Sequence, residues 1–203
     1  MQQLLVALVF CAIFISQNGT ASASGISPLL YAGYSKASEA VSLQALSASP
    51  EGKVIMIRHA LAPGTGDPAD FILDDCSTQR NLDDRGRAQA TRLGQLFRDA
   101  GIVFRSVHSS QWCRCLETAD LMNMGEVQPL AGLNSFYQGI VDREKTLAML
   151  RQFLASQPAD AGPLVLVTHF VTISAVTGFG VGSGEAVVID LKSAKASRLD
   201  LPQ

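Results

Sequence analysis

Histidine and cysteine are scarce in this chain, and their spacing excludes the usual metal sites. Only three histidines (His59, His108, His169) and four cysteines occur; the histidines lie far apart and there is no Cys-x-x-Cys pair, so no metal ligand set is read. An excess of either charge is lacking too. Sixteen Lys and Arg stand against 18 Asp and Glu, a net charge of −2, which offers nucleic acid no basic field. There is no internal repeat or low-complexity tract, and no apolar run reaches the ~20 residues that a membrane-spanning helix needs. What is present, 203 residues of which 47% are hydrophobic, suits one domain with an ordinary core and terminal extras.

Residues 1–23 carry no charged side chain: Leu4 to Ile15 is apolar, followed by polar Ser16-Gln17-Asn18 and the small triplet Ala21-Ser22-Ala23. This reads as a secretory signal cleaved after Ala23, leaving a secreted, periplasmic protein without stable membrane insertion. Residues 24–50 are expected to form a lead-in with a short helix over 37–47, and residues 51–203 the folded domain.

Within that domain Val54 to Ile57 is a short unbroken apolar run, the pattern of a parallel strand buried on both faces, and it ends in Arg58-His59. A long loop over 61–81 follows, with Pro63, Gly64, Gly66 and Pro68. Asp83 is placed to cap a helix over 84–100, with Gly101 as its stop. A strand over 103–108 runs through Ser109-Ser110 into a helix over 111–123, with Arg114 in its first turn. The pattern continues with a helix over 142–156, a strand Leu164 to Val167 ending in Thr168-His169, and a last strand from Ala186 to Leu191. Alternating strands and helices imply a three-layer α/β/α fold with a mostly parallel sheet.

Ligands of such folds sit outside the carboxyl ends of the strands. Arg58-His59, Ser109-Ser110 with Arg114, and His169 all fall at such ends, so two arginines, two histidines and a helix start converge if the strands are neighbours. That set suits a dianion, because guanidinium forks match phosphate oxygens and stay charged. One histidine can attack phosphorus while the other donates to the transferring oxygens. No metal or other cofactor is called for.

Arg58-His59-Ala60, the run Ser109-Ser110-Gln111-Trp112-Cys113-Arg114-Cys115-Leu116-Glu117-Thr118-Ala119, and Thr168-His169 resemble the three signatures of the histidine phosphatase (phosphoglycerate mutase-like) superfamily, over about residues 51–191. The resemblance implies that His59 is the phosphate-accepting nucleophile, that Arg58 and Arg114 bind the phosphoryl group, and that His169 completes the pocket; Ser110, at the same strand end, is expected to bind substrate as well. It implies a phosphatase acting on a small phosphorylated substrate. Alternatives are a phosphohistidine phosphatase and a non-catalytic phosphate- or phosphosugar-binding module. Two positions depart from the family pattern. Where one branch has a catalytic Glu this chain reads Leu133-Asn134-Ser135, and where another has an Asp after the second histidine it reads Phe170. Either the leaving group departs unprotonated, or the loop supplies an acid from Asp67, Asp74 or Asp75. Arg80 is read as either a substrate contact or a loop anchor, and His108 as a packing residue.

Loss of residues 1–23 leaves Cys76, Cys113 and Cys115, an odd number that implies one bridge and one thiol. Two positions apart on a helix, Cys113 and Cys115 face away from each other. Cys76 therefore pairs with one of them; Cys76–Cys113 is preferred, with Cys115 as the buried thiol.

Overall fold

A computed structural model describes residues 33–37 and 39–202. The expected signal and most of the lead-in lie outside the described residues. Eight strands, β1 (Ser35–Lys36), β2 (Val41–Ser42), β3 (Lys53–Arg58), β4 (Ser106–Ser109), β5 (Val127–Pro129), β6 (Leu164–Thr168), β7 (Ala186–Asp190) and β8 (Lys195–Asp200), form one sheet. Its order is β1-β8-β7-β3-β6-β4-β5, and β2 also pairs with β8. All pairings are parallel except those of β7 with β3 and β8. The helices are α1 (Leu43–Ala48), α2 (Asp84–Asp99), α3 (Cys113–Met122), α4 (Arg143–Ala155) and α5 (Phe170–Thr177).

The period-2 alternation of β3 and β6 divides the core. Ile55, Ile57, Val165 and Val167 pack with Leu93 and Phe97 of α2 and Ala119 and Met122 of α3. Val54, Met56, Leu164 and Leu166 pack on the other face with Leu147, Leu150 and Leu154 of α4 and Ile173 and Val176 of α5. Each such side chain contributes about 1.5–3 kcal/mol by leaving water; Val54–Ile57 and Leu164–Val167 are unbroken apolar runs, as strands covered on both faces must be. Asp83 caps α2 by accepting from the Gly86 amide, and Asp142 caps α4 by accepting from the Lys145 amide. Gly86 and Gly94 let α2 approach its neighbours. A Cβ at Gly94 would stand 1.9 Å from the Met122 carbonyl oxygen, and one at Gly86 2.0 Å from that of Leu61. The second approach fixes the chain just past His59.

Three expectations shift. The helix expected over 37–47 starts only at Leu43, because Val41–Ser42 pairs with β8 and the Ser42 hydroxyl caps the helix by accepting from Ala45. The strand expected from 103 begins at Ser106; Val103 is 82% exposed. Ser35–Lys36, in the expected lead-in, joins the sheet edge beside β8. The sequence pattern also leaves β5, β8 and α5 unassigned: α5 has little polar face, and β8, Lys195–Asp200, is largely polar. Among the described residues no helix is long and apolar enough to cross a membrane.

Candidate active site

The parallel register sets the site. Arg58 of β3 pairs with Thr168 of β6, and Ser109 of β4 with Val167. One residue further on, the His59 amide donates to the Thr168 carbonyl (2.9 Å) and the Ser110 amide to that of Val167 (2.9 Å). His59, His169 and Ser110 therefore leave three adjacent strands at one level, and the first turn of α3 adds Arg114. Above them opens a cleft of about 240 Å³ that Arg58, His59, Arg80, Arg114 and His169 all line.

The two imidazoles lie 5.5 Å apart between centroids, at 66°. His59 Nδ1 is 2.8 Å from the Ala60 carbonyl oxygen, which can only accept, so Nδ1 carries the proton and Nε2 keeps its lone pair. Burial and then the Arg114 charge lower the His59 pKa to about 3, so the ring is neutral at physiological pH. In His169 the roles are reversed. Its Nδ1 is 3.5 Å from Arg114 Nη2, a donor without lone pair, and its Nε2 is 2.9 Å from the Ser110 hydroxyl. That hydroxyl donates to Asn134 Oδ1 (3.2 Å) and so receives the Nε2–H. Asn134 is itself oriented by Gln111, whose amide donates to Oδ1 (2.9 Å) and whose Oε1 accepts from Nδ2 (2.8 Å). Burial, Arg114 and His59 together push the His169 pKa well below its ordinary value.

Arg114 is nearly fully buried and forks onto Asp67, with Nη1–Oδ1 at 2.7 Å and Nη2–Oδ2 at 3.1 Å. Asp67 also accepts from Trp112 Nε1 (3.0 Å) and the Arg80 amide (3.2 Å). Arg80 holds the same loop from within, donating to the carbonyls of Gly66 and Ala62. Arg58 donates Nη1 to the Val181 carbonyl (3.1 Å). The Nε atoms of Arg58 and Arg114 are buried without a hydrogen-bond partner among the described residues. Two such donors are costly to leave unmade. Three guanidiniums less one carboxylate leave two positive charges, the match of one phosphate dianion.

The expected site residues thus divide. Arg58, His59, Arg80, Arg114 and His169 meet in the cleft, and Arg80 both lines it and anchors the 61–81 loop through the Gly66 and Ala62 carbonyls. Ser110, expected to touch substrate, does not line the cleft; it is buried behind His169 because its hydroxyl is used by that ring and Asn134. Asp74 and Asp75 are exposed and lie off the cleft, and Asp75 caps the short 3-10 turn Cys76–Thr78. Burial alone would raise the Asp67 pKa, but the bonds and charge of Arg114 outweigh it and hold the carboxyl below its usual range. None of the three is placed as a proton donor.

A disulfide joins Cys76 to Cys113, tying the 61–81 loop to the start of α3. Cys115 is a fully buried thiol pushed up to about 12, chiefly by burial. His108 packs on Phe153 and bonds Ser106, and Glu117 accepts from Arg87, tying α3 to α2. The sequence reading missed Trp112, Asn134, Ser135 and Tyr137 as members or neighbours of the site. For Asn134 the signal was its place where the family pattern has Glu, and for Trp112 its place in the run before Arg114; for Tyr137 there was none. Among the described residues no group of three or more His, Cys, Asp or Glu side chains is placed to hold a metal ion.

Solved structures with this fold include the protein histidine phosphatase SixA complexed with tungstate, 14% identical, TM-score 0.51, covering 72% of this chain and 93% of that one. They also include the mycobacterial glucosyl-3-phosphoglycerate phosphatase with inorganic phosphate (16% identical, TM-score 0.50, 73% of this chain and 95% of that one). A third is a phosphoserine phosphatase mutant from Entamoeba histolytica in complex with phosphoserine (17% identical, TM-score 0.50, 72% and 94%). No curated protein sequence matches the chain. A sequence model described as the histidine phosphatase superfamily (branch 1) matches residues 54–157, from the strand that carries Arg58-His59 through α3 and α4. With that match over half its length, the chain belongs to the histidine phosphatase superfamily.

Proposed function

We propose that this protein is a phosphatase that hydrolyses a small phosphorylated compound through a covalent phosphohistidine on His59, without help from a metal. The observation that carries the reading is the hydrogen bond from His59 Nδ1 to the Ala60 carbonyl. It leaves a neutral Nε2 lone pair in a cleft lined by three guanidiniums. In the proposed reaction Nε2 attacks phosphorus, the P–O bond breaks, and its electron pair leaves with the leaving-group oxygen. Arg58, Arg80 and Arg114 neutralise the equatorial oxygens, whose charge they match most closely in the transition state. Water then displaces the histidine, releasing inorganic phosphate. His169 sits beside this centre, where a proton taken up on Nδ1 turns it into a donor to a phosphoryl oxygen.

Related structures that hold tungstate, phosphate or phosphoserine support a small phosphorylated ligand. The uncharged residues 1–23 with their apolar run Leu4 to Ile15 and the Cys76–Cys113 bridge both suit an oxidising compartment outside the cytoplasm, where we place the mature protein. Brief incubation with a ³²P-labelled phosphomonoester followed by alkaline quenching tests the mechanism. The expected result is alkali-stable, acid-labile label on the wild type and none on His59→Ala; equal labelling of both proteins overturns it.

A further inference from the structure

We infer that the cleft selects phosphomonoesters of phenols, esters whose leaving group is an aromatic hydroxyl carrying no further anionic group. The inference deepens the phosphatase reading and rests on it. Three features of the cleft converge on this class.

The first is the wall. Among the described residues four large hydrophobic side chains are exposed, and two of them, Tyr137 (48%) and Phe170 (43%), line this one cleft. They reach it from separate segments: Tyr137 from the turn after Asn134, and Phe170 from the first turn of α5, directly after His169. The Arg58 guanidinium lies 5.9 Å from the Phe170 ring centroid, so that ring borders the phosphoryl site. Exposed rings beside a phosphate site offer stacking or edge contacts to a flat apolar group. At about 240 Å³ the cleft has room for a phosphoryl group and a ring-sized leaving group, below the usual range for larger ligands.

The second is charge. Arg58, Arg80 and Arg114 less Asp67 leave two positive charges, and a bound phosphate dianion cancels both. The remaining lining residues, Gly64, Thr65, Gly66, Ser135, Tyr137 and Val171 with Phe170, carry no cation. A second phosphate or a carboxylate on the substrate would find no partner.

The third is the missing proton. Among the described residues no Asp or Glu lines the cleft; Phe170 and Asn134 occupy the two positions at which an acid was sought, and the Asn134 amide is committed to Ser110 and Gln111. A leaving oxygen must therefore depart as its anion. Phenols ionise near a pKa of ~10, as tyrosine does, whereas water and simple alcohols ionise near ~16. The departing phenolate keeps the electron pair of the broken P–O bond and takes its proton from water afterwards.

Steady-state kinetics of the full chain test this with phenyl phosphate and phosphotyrosine against glycerol phosphate and phosphoserine, with tungstate as a competing oxyanion. The expected result is kcat/KM at least about 100-fold higher for phenyl phosphate than for the alkyl esters. Phosphotyrosine, whose charges lie beyond the ring, should fall below phenyl phosphate. Phe170→Ala should lower kcat/KM for phenyl phosphate about five- to tenfold, chiefly through KM, while tungstate still inhibits it, showing an intact phosphoryl site. Alkyl esters hydrolysed as fast as phenyl phosphate, with His59-dependent labelling retained, overturn the selectivity and leave the phosphatase standing. Hydrolysis of no ester, with no labelled enzyme, overturns both.

Discussion

Asp67 grips Arg114 with both carboxylate oxygens, at 2.7 and 3.1 Å, in a setting where each side chain is only 3% exposed. A carboxylate so held is a neutraliser and a strut. Removing one partner of a buried pair strands the other charge and typically costs about 3–5 kcal/mol. Asp67→Asn should therefore lower the midpoint of urea unfolding while slowing all aryl phosphates by a similar factor. A rate loss that grows as the leaving phenol becomes less acidic would instead identify Asp67 as the acid.

In the wild type, rates across aryl phosphates should rise steeply with the acidity of the leaving phenol, because charge builds on its oxygen without protonation. A series of substituted phenyl phosphates measures that slope. A flat series, with chemistry shown to limit the rate, contradicts an acid-free departure.

His59→Ala should remove turnover altogether, while His169→Ala should leave a slow residue, since it takes away stabilisation and not the nucleophile. Undiminished hydrolysis by His59→Ala is the result that sinks the mechanism.

Asn134 acts on His169 through Ser110. Asn134→Leu unpairs the buried Ser110 hydroxyl and the Gln111 amide, at a cost of about 1–3 kcal/mol, and releases the hydroxyl to donate to Nε2. The check is the ¹⁵N spectrum of His169: the wild type should show the Nε2–H form, and the variant a mixture, with kcat down about tenfold. An unchanged spectrum refutes the relay.

The buried histidines also set the response to acid. His59 titrates near 3 in the fold and His169 well below its ordinary value, against about 6.5 in the unfolded chain. Between those limits the unfolded state binds more protons, so stability is full above about pH 6.5 and falls as pH drops below it. Each histidine contributes a slope of about 1.4 kcal/mol per pH unit. Urea unfolding at pH 7.5, 6 and 5 should show this slope, and His59→Ala should lessen it.

Much of this site could be read from the sequence because its pieces lie at the ends of apolar strands. Val54–Ile57 and Leu164–Val167 can only be strands buried on both faces, and their terminal polar residues must then share the carboxyl edge. Asp83 announced α2 for an equally local reason. What stayed hidden depends on contacts far apart in sequence. Asp67 meets Arg114 across 47 positions and Asn134 meets Ser110 across 24, and nothing local marks either as a partner. β8 escaped because it is mostly Lys, Ser, Arg and Asp and its two apolar residues, Ala196 and Leu199, serve opposite faces, and α5 because eight residues rich in β-branched types resemble a strand.

The bridge from the 61–81 loop to the start of α3 has a direct check. Cys76–Cys113 closes a loop across 37 positions, and the chain-entropy treatment assigns such a closure roughly 4 kcal/mol. Protein without residues 1–23, denatured without reductant, should show one reactive thiol. Three would contradict the bridge.

Trp112 is the chain's single tryptophan. Its ring is fully buried, stacks on Phe71 at 5.0 Å, meets the His169 ring edge-on at 5.4 Å, and donates to Asp67. The protein consequently carries its own optical reporter at the reaction centre, with no second indole to blur the signal. An imidazolium quenches indole emission far more than neutral imidazole does, so a proton taken up by His169 should lower the Trp112 emission. Stopped-flow emission after mixing with tungstate can then time oxyanion arrival without label, coupling enzyme or chromogenic substrate.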